Sequence, residues 1–348
     1  MTRLVIARSA AAHPMGAQRY ESEVETRAAA LLPGWRVDVS VSRSLRSDLP
    51  GTRRLPFGWL SSASVEERRL VGRLLHSRQS VLHRMDLAIP PAPQGDVVTI
   101  HDTVAWRYPD ESAPVRAAAD EARRAAAVVC VSEFSADEVR SLLGVAEPRV
   151  VYNGVDDAYF DAPPLGTDVR RALGLEGPYV LHAGGASQRK NLGELAAAWE
   201  LASPSLSGIT LALAGPEHPT RTRLFAPLQR TVLLGRQPDR LMPSIVASAE
   251  AVVVPSTYEG FGLPALEAMA AGTPVIVSNC SALPEVVGDC GFVVEPRREA
   301  LASALLAVTV DPDAGLAARL DRARARARRF TWEATARAHA DIWREVAG

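Results

Sequence analysis

Lysine is almost missing from this chain of 348 residues: among 39 basic side chains Lys190 is the only one, and arginine supplies all the rest. A compact ammonium has been kept at one place in a chain that otherwise uses the planar arginine fork. Cysteine is scarce as well. Cys130, Cys280 and Cys290 are odd in number and lack C-x-x-C spacing, which suggests neither a disulfide framework nor a zinc site and leaves buried thiols as the plain reading. No uninterrupted apolar run approaches the roughly 18 to 20 residues that span a bilayer, and the N-terminus has no basic segment followed by an apolar stretch. A cytoplasmic protein is therefore expected. The net charge of −1 weighs against nucleic acid as a partner. What remains is ordinary for a globular protein, with 47% hydrophobic and 23% charged residues, and the length suits two domains.

Charge is unevenly spread. Between Trp35 and Met85 stand ten arginines (Arg36, Arg43, Arg46, Arg53, Arg54, Arg68, Arg69, Arg73, Arg78 and Arg84) against the four acids Asp38, Asp48, Glu66 and Glu67. The arginine-rich 36–84 region could face anionic lipid or a phosphorylated acceptor, which would place the protein at the inner face of a membrane. A solvated surface is the plainer alternative. Another arginine tract, Arg322–Arg329, alternates with alanine and reads as a solvated helix face.

Short β-rich runs alternate with helical stretches along the whole chain, the pattern of parallel sheets covered by helices. Strands are expected at Leu4–Ala7, Val37–Val41, Val81–His83, Val97–His101, Val128–Val131 and Val150–Tyr152, with helices over Glu21–Leu32 and Ala136–Leu143 among those between them. A second series follows at Tyr179–His182, Thr210–Ala214, Val232–Leu234, Ala251–Val254, Pro274–Val277 and Phe292–Val294. The Pro-, Gly- and Asp-rich stretch from Asp156 to Gly177 separates the two. Two α/β, doubly wound, Rossmann-like domains result, 1–160 and 161–329.

The chemistry concentrates in Val252–Val277, VVVPSTYEGFGLPALEAMAAGTPVIV. A buried strand ends at Pro255, a polar loop follows, Pro264 opens a helix, and Gly272 sits just past its end. The loop presents Gly260, Phe261, Gly262 and Leu263 at the helix N-terminus, where free backbone N–H groups and the helix dipole hold phosphate. Glu259 precedes that loop and Glu267 lies in the first helical turn. Carboxylates repel phosphate, so they are expected to accept hydrogen bonds from hydroxyls on either side of it. Upstream, HAGGASQRKN (His182–Asn191) is another strand, glycine loop and helix: Gly184 and Gly185 can wrap phosphate, and Arg189 and Lys190 can neutralise it. In the first half, Val97–Ile100 delivers His101 and Asp102 at a strand end, where open α/β sheets place ligands.

The string from Glu259 to Val275 resembles the hallmark E-G-F-G-x-P-x-x-E-A-M-A-x-G-x-P-V of family 4 retaining glycosyltransferases. The resemblance extends to SALPEVVG (Ser281–Gly288), the mannosyltransferase-like RKN variant (Arg189–Asn191), His101–Asp102, VSEFS (Val131–Ser135), YNGVD (Tyr152–Asp156) and the closing FTWE segment. It implies a GT-B architecture with two domains facing a cleft, the first holding the acceptor and completed by a C-terminal helix over 330–348. It further implies that Glu259 contacts the donor sugar, that Glu267 binds the ribose, that Arg189 and Lys190 bind the diphosphate, and that His101 lies near the anomeric carbon. Glu285 is expected to be structural, Asp102 to brace its loop, and Asn153 and Gly154 to turn the chain between domains. Near the N-terminus the family's paired glycines are absent: the loop reads HPMGAQRY and only Gly16 remains as a donor-side candidate.

The activity so implied is transfer of a hexose, mannose from GDP-mannose ahead of a UDP-hexose, to a glycan, glycolipid or other hydroxyl acceptor with retention of configuration. No cofactor beyond the nucleotide sugar and no metal is expected, since neither a D-x-D site nor a zinc ligand set is evident. Two alternatives stay open. One is a sugar-nucleotide epimerase or phosphorylase of the same architecture, against which the E-G-F-G-L-P-x-x-E string speaks. The other is a catalytically silent nucleotide-sugar-binding subunit, which the intact glutamates and lysine disfavour.

Overall fold

Runs of valine and isoleucine form the central strands because β-branched side chains pack well on a pleated sheet covered on both faces. In the computed structural model, which describes residues 1–12, 15–76, 80–108, 111–310 and 314–348, four such strands are buried at every position. The chain forms two units, Met1–Gly154 with Thr331–Gly348, and Val155–Phe330.

The first unit carries β1 (Arg3–Ser9), β2 (Arg36–Ser44), β3 (Arg53–Leu55), β4 (Ser80–Arg84), β5 (Val97–Ile100), β6 (Ala127–Cys130) and β7 (Arg149–Val150). All pair in parallel, in the order β3-β2-β1-β4-β5-β6-β7. The second unit carries β8 (Tyr179–Ala183), β9 (Thr210–Ala214), β10 (Thr231–Gly235), β11 (Ala251–Val254), β12 (Val275–Ser278) and β13 (Phe292–Val294), again all parallel, in the order β10-β9-β8-β11-β12-β13. Both doubly wound sheets expected from the sequence are present. β3 is an addition to the expected set. Its three residues include two arginines and give no apolar signal; pairing with Ser42–Ser44 of β2 holds it at the edge.

In both sheets the strand order reverses between the first strand and its fourth-strand neighbour, β1 beside β4 and β8 beside β11. Successive crossovers leave in opposite directions there, which opens a crevice at the carboxyl ends of the two strands. The core of the second unit, including Trp199, Phe225, Leu211 and Ile276, packs one face of its sheet. In the first unit the amphipathic helix Trp332–Ala347 lies against Gly16–Leu31 and buries Trp332, Ala336, His339 and Trp343. Thr331 caps it by accepting from the Ala334 amide at 3.1 Å, and Trp343 Nε1 donates to His83 Nδ1 at 3.1 Å.

Two arginines of the arginine-rich region are core residues. Arg68 and Arg84 have fully buried side chains and share the Glu121 carboxylate, Arg68 Nε at 2.5 Å and Arg84 Nη1 at 2.8 Å, and Arg84 also pairs with Asp96. Arg68 further donates to the carbonyls of Leu60, Leu87, Ala88 and Ile89. Replacing Glu121 by alanine would leave Arg68 without a carboxylate in a dry site and should cost about 3–5 kcal/mol. Urea unfolding of the variant measures this; a loss under about 1 kcal/mol, the scale of an exposed pair, would contradict it.

Candidate functional site

At the reversal point of the second sheet, the loop after β8 carries Gly184 to Lys190 and the loop after β11 carries Pro255 to Gly262. The two loops lock together. Thr257 N donates to Arg189 O at 2.8 Å, and Asn191, in a left-handed conformation (φ 56°), donates through Nδ2 to Pro255 O at 3.1 Å and to Pro296 O at 2.9 Å. This sets three charged side chains against one another. Lys190 Nζ donates to Glu259 Oε1 at 2.6 Å and Arg189 Nη1 to Glu259 Oε2 at 3.3 Å, with Ser256 Oγ adding a 2.7 Å bond to Oε1. Lys190 is 9% and Glu259 7% exposed, so the pair works in a medium where charges act strongly. Burial alone would push the Glu259 carboxyl up; the charges of Lys190 and Arg189, with hydrogen bonds from Lys190 and Ser256, outweigh it and hold the group below the usual carboxylate range.

Lys190 and Arg189 thus meet the Glu259 carboxylate beside a helix start. That helix, Leu263–Ala271, begins one residue earlier than the proline suggests, and this corrects the placement of Glu267. Gly262 is its N-cap at φ 107°, a backbone that L side chains rarely adopt, and Pro264 is second in the helix. Glu267 is therefore the fifth residue, in the second turn and one turn along the same face from Leu263. It is half-buried. The Gly262 and Leu263 amides donate to no group among the described residues. Ser281 Oγ accepts from the Glu259 amide at 2.9 Å and fixes the start of the loop. Arg326 donates to the carbonyls of Glu285 and Val286, so the main chain at Glu285 anchors a neighbouring helix.

Gly184 and Gly185 follow β8 directly. His182, at its end, donates from Nδ1 to Val253 O at 3.0 Å, and its Nε2 is buried without a partner among the described residues. Burial, with the charges of Arg221 and Lys190 nearby, holds its pKa down to about 4, so the ring is neutral. Sequence reasoning missed the roles of Ser256, Ser281 and Arg221: the two serines stand inside the quoted strings but meet Glu259 only through the fold, and Arg221 carries no motif.

His101 and Gly16 belong to the first unit, at the carboxyl ends of β5 and β1. His101 is half-buried, with the edge of Tyr20 against its ring at 4.9 Å, and burial lowers its pKa against the opposing pull of Asp102 and Asp86. Asp102 braces the loop by accepting from the Val104 amide at 3.1 Å. Gly16 is the exposed first residue of its helix; His13 and Pro14, in the loop before it, lie outside the described residues. Within the arginine-rich region Arg36 pairs with Asp38, and Arg43, Arg53 and Arg54 are spent on the Leu49, Leu75 and Leu45 carbonyls, which leaves Arg46, Arg69 and Arg73 on the surface without such a bond among the described residues; Arg78 lies outside them. Among the cysteines, all free, Cys130 and Cys290 are buried, and Cys280 departs from expectation in being only partly covered. Among the described residues no helix is long and apolar enough to cross a membrane, and no group of three or more His, Cys, Asp or Glu side chains is placed to hold a metal ion.

Comparison with known proteins agrees with this layout. Residues 177–311 match the family described as Glycosyl transferases group 1, and residues 21–159 match Glycosyltransferase Family 4. O-antigen chain mannosyltransferase B of Escherichia coli is 30% identical over 299 residues, 81% of this chain and 78% of that protein. A GDP-mannose-dependent alpha-(1-6)-phosphatidylinositol dimannoside mannosyltransferase of Mycobacterium tuberculosis is 32% identical over 216 residues, 60% of this chain and 55% of that one. Two solved structures share the fold: sucrose-phosphate synthase from Thermosynechococcus elongatus (TM-score 0.76, 24% identity, 98% of both chains) and Anabaena HepE in complex with UDP and glucose (TM-score 0.73, 20% identity, 98% of this chain and 99% of that one). With two parallel Rossmann-like sheets, both family domains matched in order and a relative aligned over most of its length, this chain belongs to the family 4, group 1 glycosyltransferases of GT-B fold.

Proposed function

We propose that this enzyme transfers mannose from GDP-mannose, with retention of anomeric configuration, to a hydroxyl of a glycan or lipid-linked acceptor. The observation that carries the reading is the seating of Lys190 and Arg189 on Glu259 beside the N-terminus of Leu263–Ala271, at the reversal point of the second sheet. Cations and unused amides gathered there suit a diphosphate. The donor is taken from the names of the relatives, two of which are mannosyltransferases and one GDP-mannose-dependent.

In this reading Gly184, Gly185 and the Gly260–Leu263 loop surround the diphosphate, Glu267 holds the ribose, Glu259 orients the sugar, and Gly16 and His101 act from the first unit. The acceptor oxygen bonds to the anomeric carbon on the face from which the phosphate leaves. The departing phosphate oxygen takes the acceptor proton, so no protein nucleophile is needed. Lys190 and Arg189 stabilise charge that grows on the phosphate as the glycosidic bond breaks. For an acceptor in lipid, the helix Val65–Leu75 supplies a surface: Arg69 and Arg73 are exposed beside Leu70 and Leu74, which are 58% and 81% exposed.

A panel of GDP- and UDP-sugars, assayed for turnover in excess chelator, tests the reading. GDP-mannose should be consumed fastest, the chelator should have no effect, and the released product should keep the donor's anomeric configuration. Preference for a UDP-sugar, loss of activity restored by manganese, or an inverted product would each overturn the corresponding part.

A further inference from the structure

Among the described residues, buried arginines meet carboxylates, as Arg68 and Arg84 do, with one exception behind the glycine loop. Arg221 is 3% exposed, and its hydrogen bonds all go to main-chain carbonyls: Nη1 to Pro216 O at 2.8 Å, Nη2 to Gly185 O at 3.0 Å and to Gly184 O. Its Nε is buried with no partner among the described residues. Burial lowers its pKa below the ordinary arginine value, and no carboxylate among the described residues pairs with it. A guanidinium without a counter-ion in a dry site is costly, so the fold must gain something from placing it there.

The backbone around it is arranged to admit it. Gly215 adopts φ 138°, and a Cβ at that position would stand 2.0 Å from Gly184 O and 2.9 Å from Arg221 Nη2. Only glycine fits. The peptide bond is planar and trans, so a C=O and the N–H of the next residue point in opposite directions. With the Gly184 and Gly185 carbonyls turned toward Arg221, the Gly185 and Ala186 amides face away from it, and neither donates to any group among the described residues. Two adjacent amides pointing the same way form an anion-binding concavity, and the cation behind them draws electron density from both peptide units.

We infer that Arg221 is a positioning residue for the nucleotide diphosphate. It fixes the Gly184–Gly185–Ala186 peptides with their amides outward, and its charge finds its counter-ion in the bound diphosphate. The inference rests on the proposed use of a nucleotide-diphosphate sugar, and it adds a third cation, approaching from behind the loop, to Lys190 and Arg189. A purely structural Arg221 would treat every ligand of the site alike. A charge acting on the diphosphate would not.

The experiment is calorimetric titration of GDP and of guanosine into the full-length enzyme and two variants. In the unmodified enzyme GDP should bind far more tightly than guanosine; equal affinities would sink the nucleotide-diphosphate reading itself and leave nothing for Arg221 to position. Arg221→Gln should weaken GDP about tenfold and guanosine less than twofold. Unchanged GDP affinity, or an equal loss for both ligands, would overturn the inference. Should Arg221→Gln fail to fold, Arg221→Lys decides. A buried ammonium loses its proton more readily than a guanidinium. GDP affinity of Arg221→Lys should thus fall between pH 7.5 and pH 9.5 about threefold or more beyond any fall in the unmodified enzyme, which shares every other titrating group. Parallel pH profiles would overturn it.

Discussion

Replacing Lys190 by alanine should lower glycosyl transfer about 10²–10³-fold at saturating donor, the range seen when one preorganised donor to a developing anion is removed. Two effects add. The ammonium that would meet the leaving diphosphate is gone, and Glu259 loses its 2.6 Å partner, so its carboxylate faces the diphosphate with only Arg189 at 3.3 Å and Ser256 to answer it. Donor affinity should fall along with turnover. Lys190→Arg should recover part of the rate, because it restores charge but brings a planar fork to a seat shaped for a point charge. Turnover is measured with the donor in excess, and circular dichroism checks the fold. Near-normal turnover in Lys190→Ala would show that the ammonium serves only the ion pair.

The two glutamates should fail in different ways. Glu267→Ala should weaken the free nucleoside diphosphate by about 1–3 kcal/mol, the value of a hydrogen bond to a charged group, because the ribose is held alike in donor and product. Glu259→Ala should depress turnover and leave nucleoside diphosphate affinity unchanged or higher, since it removes a negative charge from two cations that then turn to the phosphate. Titration of both variants, with turnover in parallel, separates them. Equal loss of affinity in both would remove the distinction, and the reverse pattern would exchange the roles.

How much of this could be read in the sequence differs between elements. Both sheets were legible because valine-rich runs alternate with helical spacing, and β3 was not, because three residues with two arginines carry no apolar period and depend on pairing with β2. The helix Leu263–Ala271 was legible from its glycines and proline, yet its start moved by one residue because Gly262 turns the chain before Pro264 can. Lys190 was singled out by its rarity. Its partner was beyond reach, since Lys190 and Glu259 stand 69 residues apart and meet only because β8 and β11 are neighbours at the point of reversal. For Arg68 and Arg84 the sequence shows a basic cluster, and only tertiary structure reveals that Glu121 and Asp96 take them into the core. Arg221 was invisible for the same reason: its partners are carbonyls, which no residue type announces.

The central claim is that Lys190 and Glu259 form one unit seated against a diphosphate, and a double variant tests it most directly. Nucleoside diphosphate is titrated into Lys190→Ala and into Lys190→Ala/Glu259→Ala. Once the lysine is gone the buried carboxylate only repels the ligand, so the double variant should bind more tightly than the single one, and the two substitutions should be non-additive. A double variant that binds more weakly than Lys190→Ala, by the full effect of losing a second favourable contact, would contradict the account.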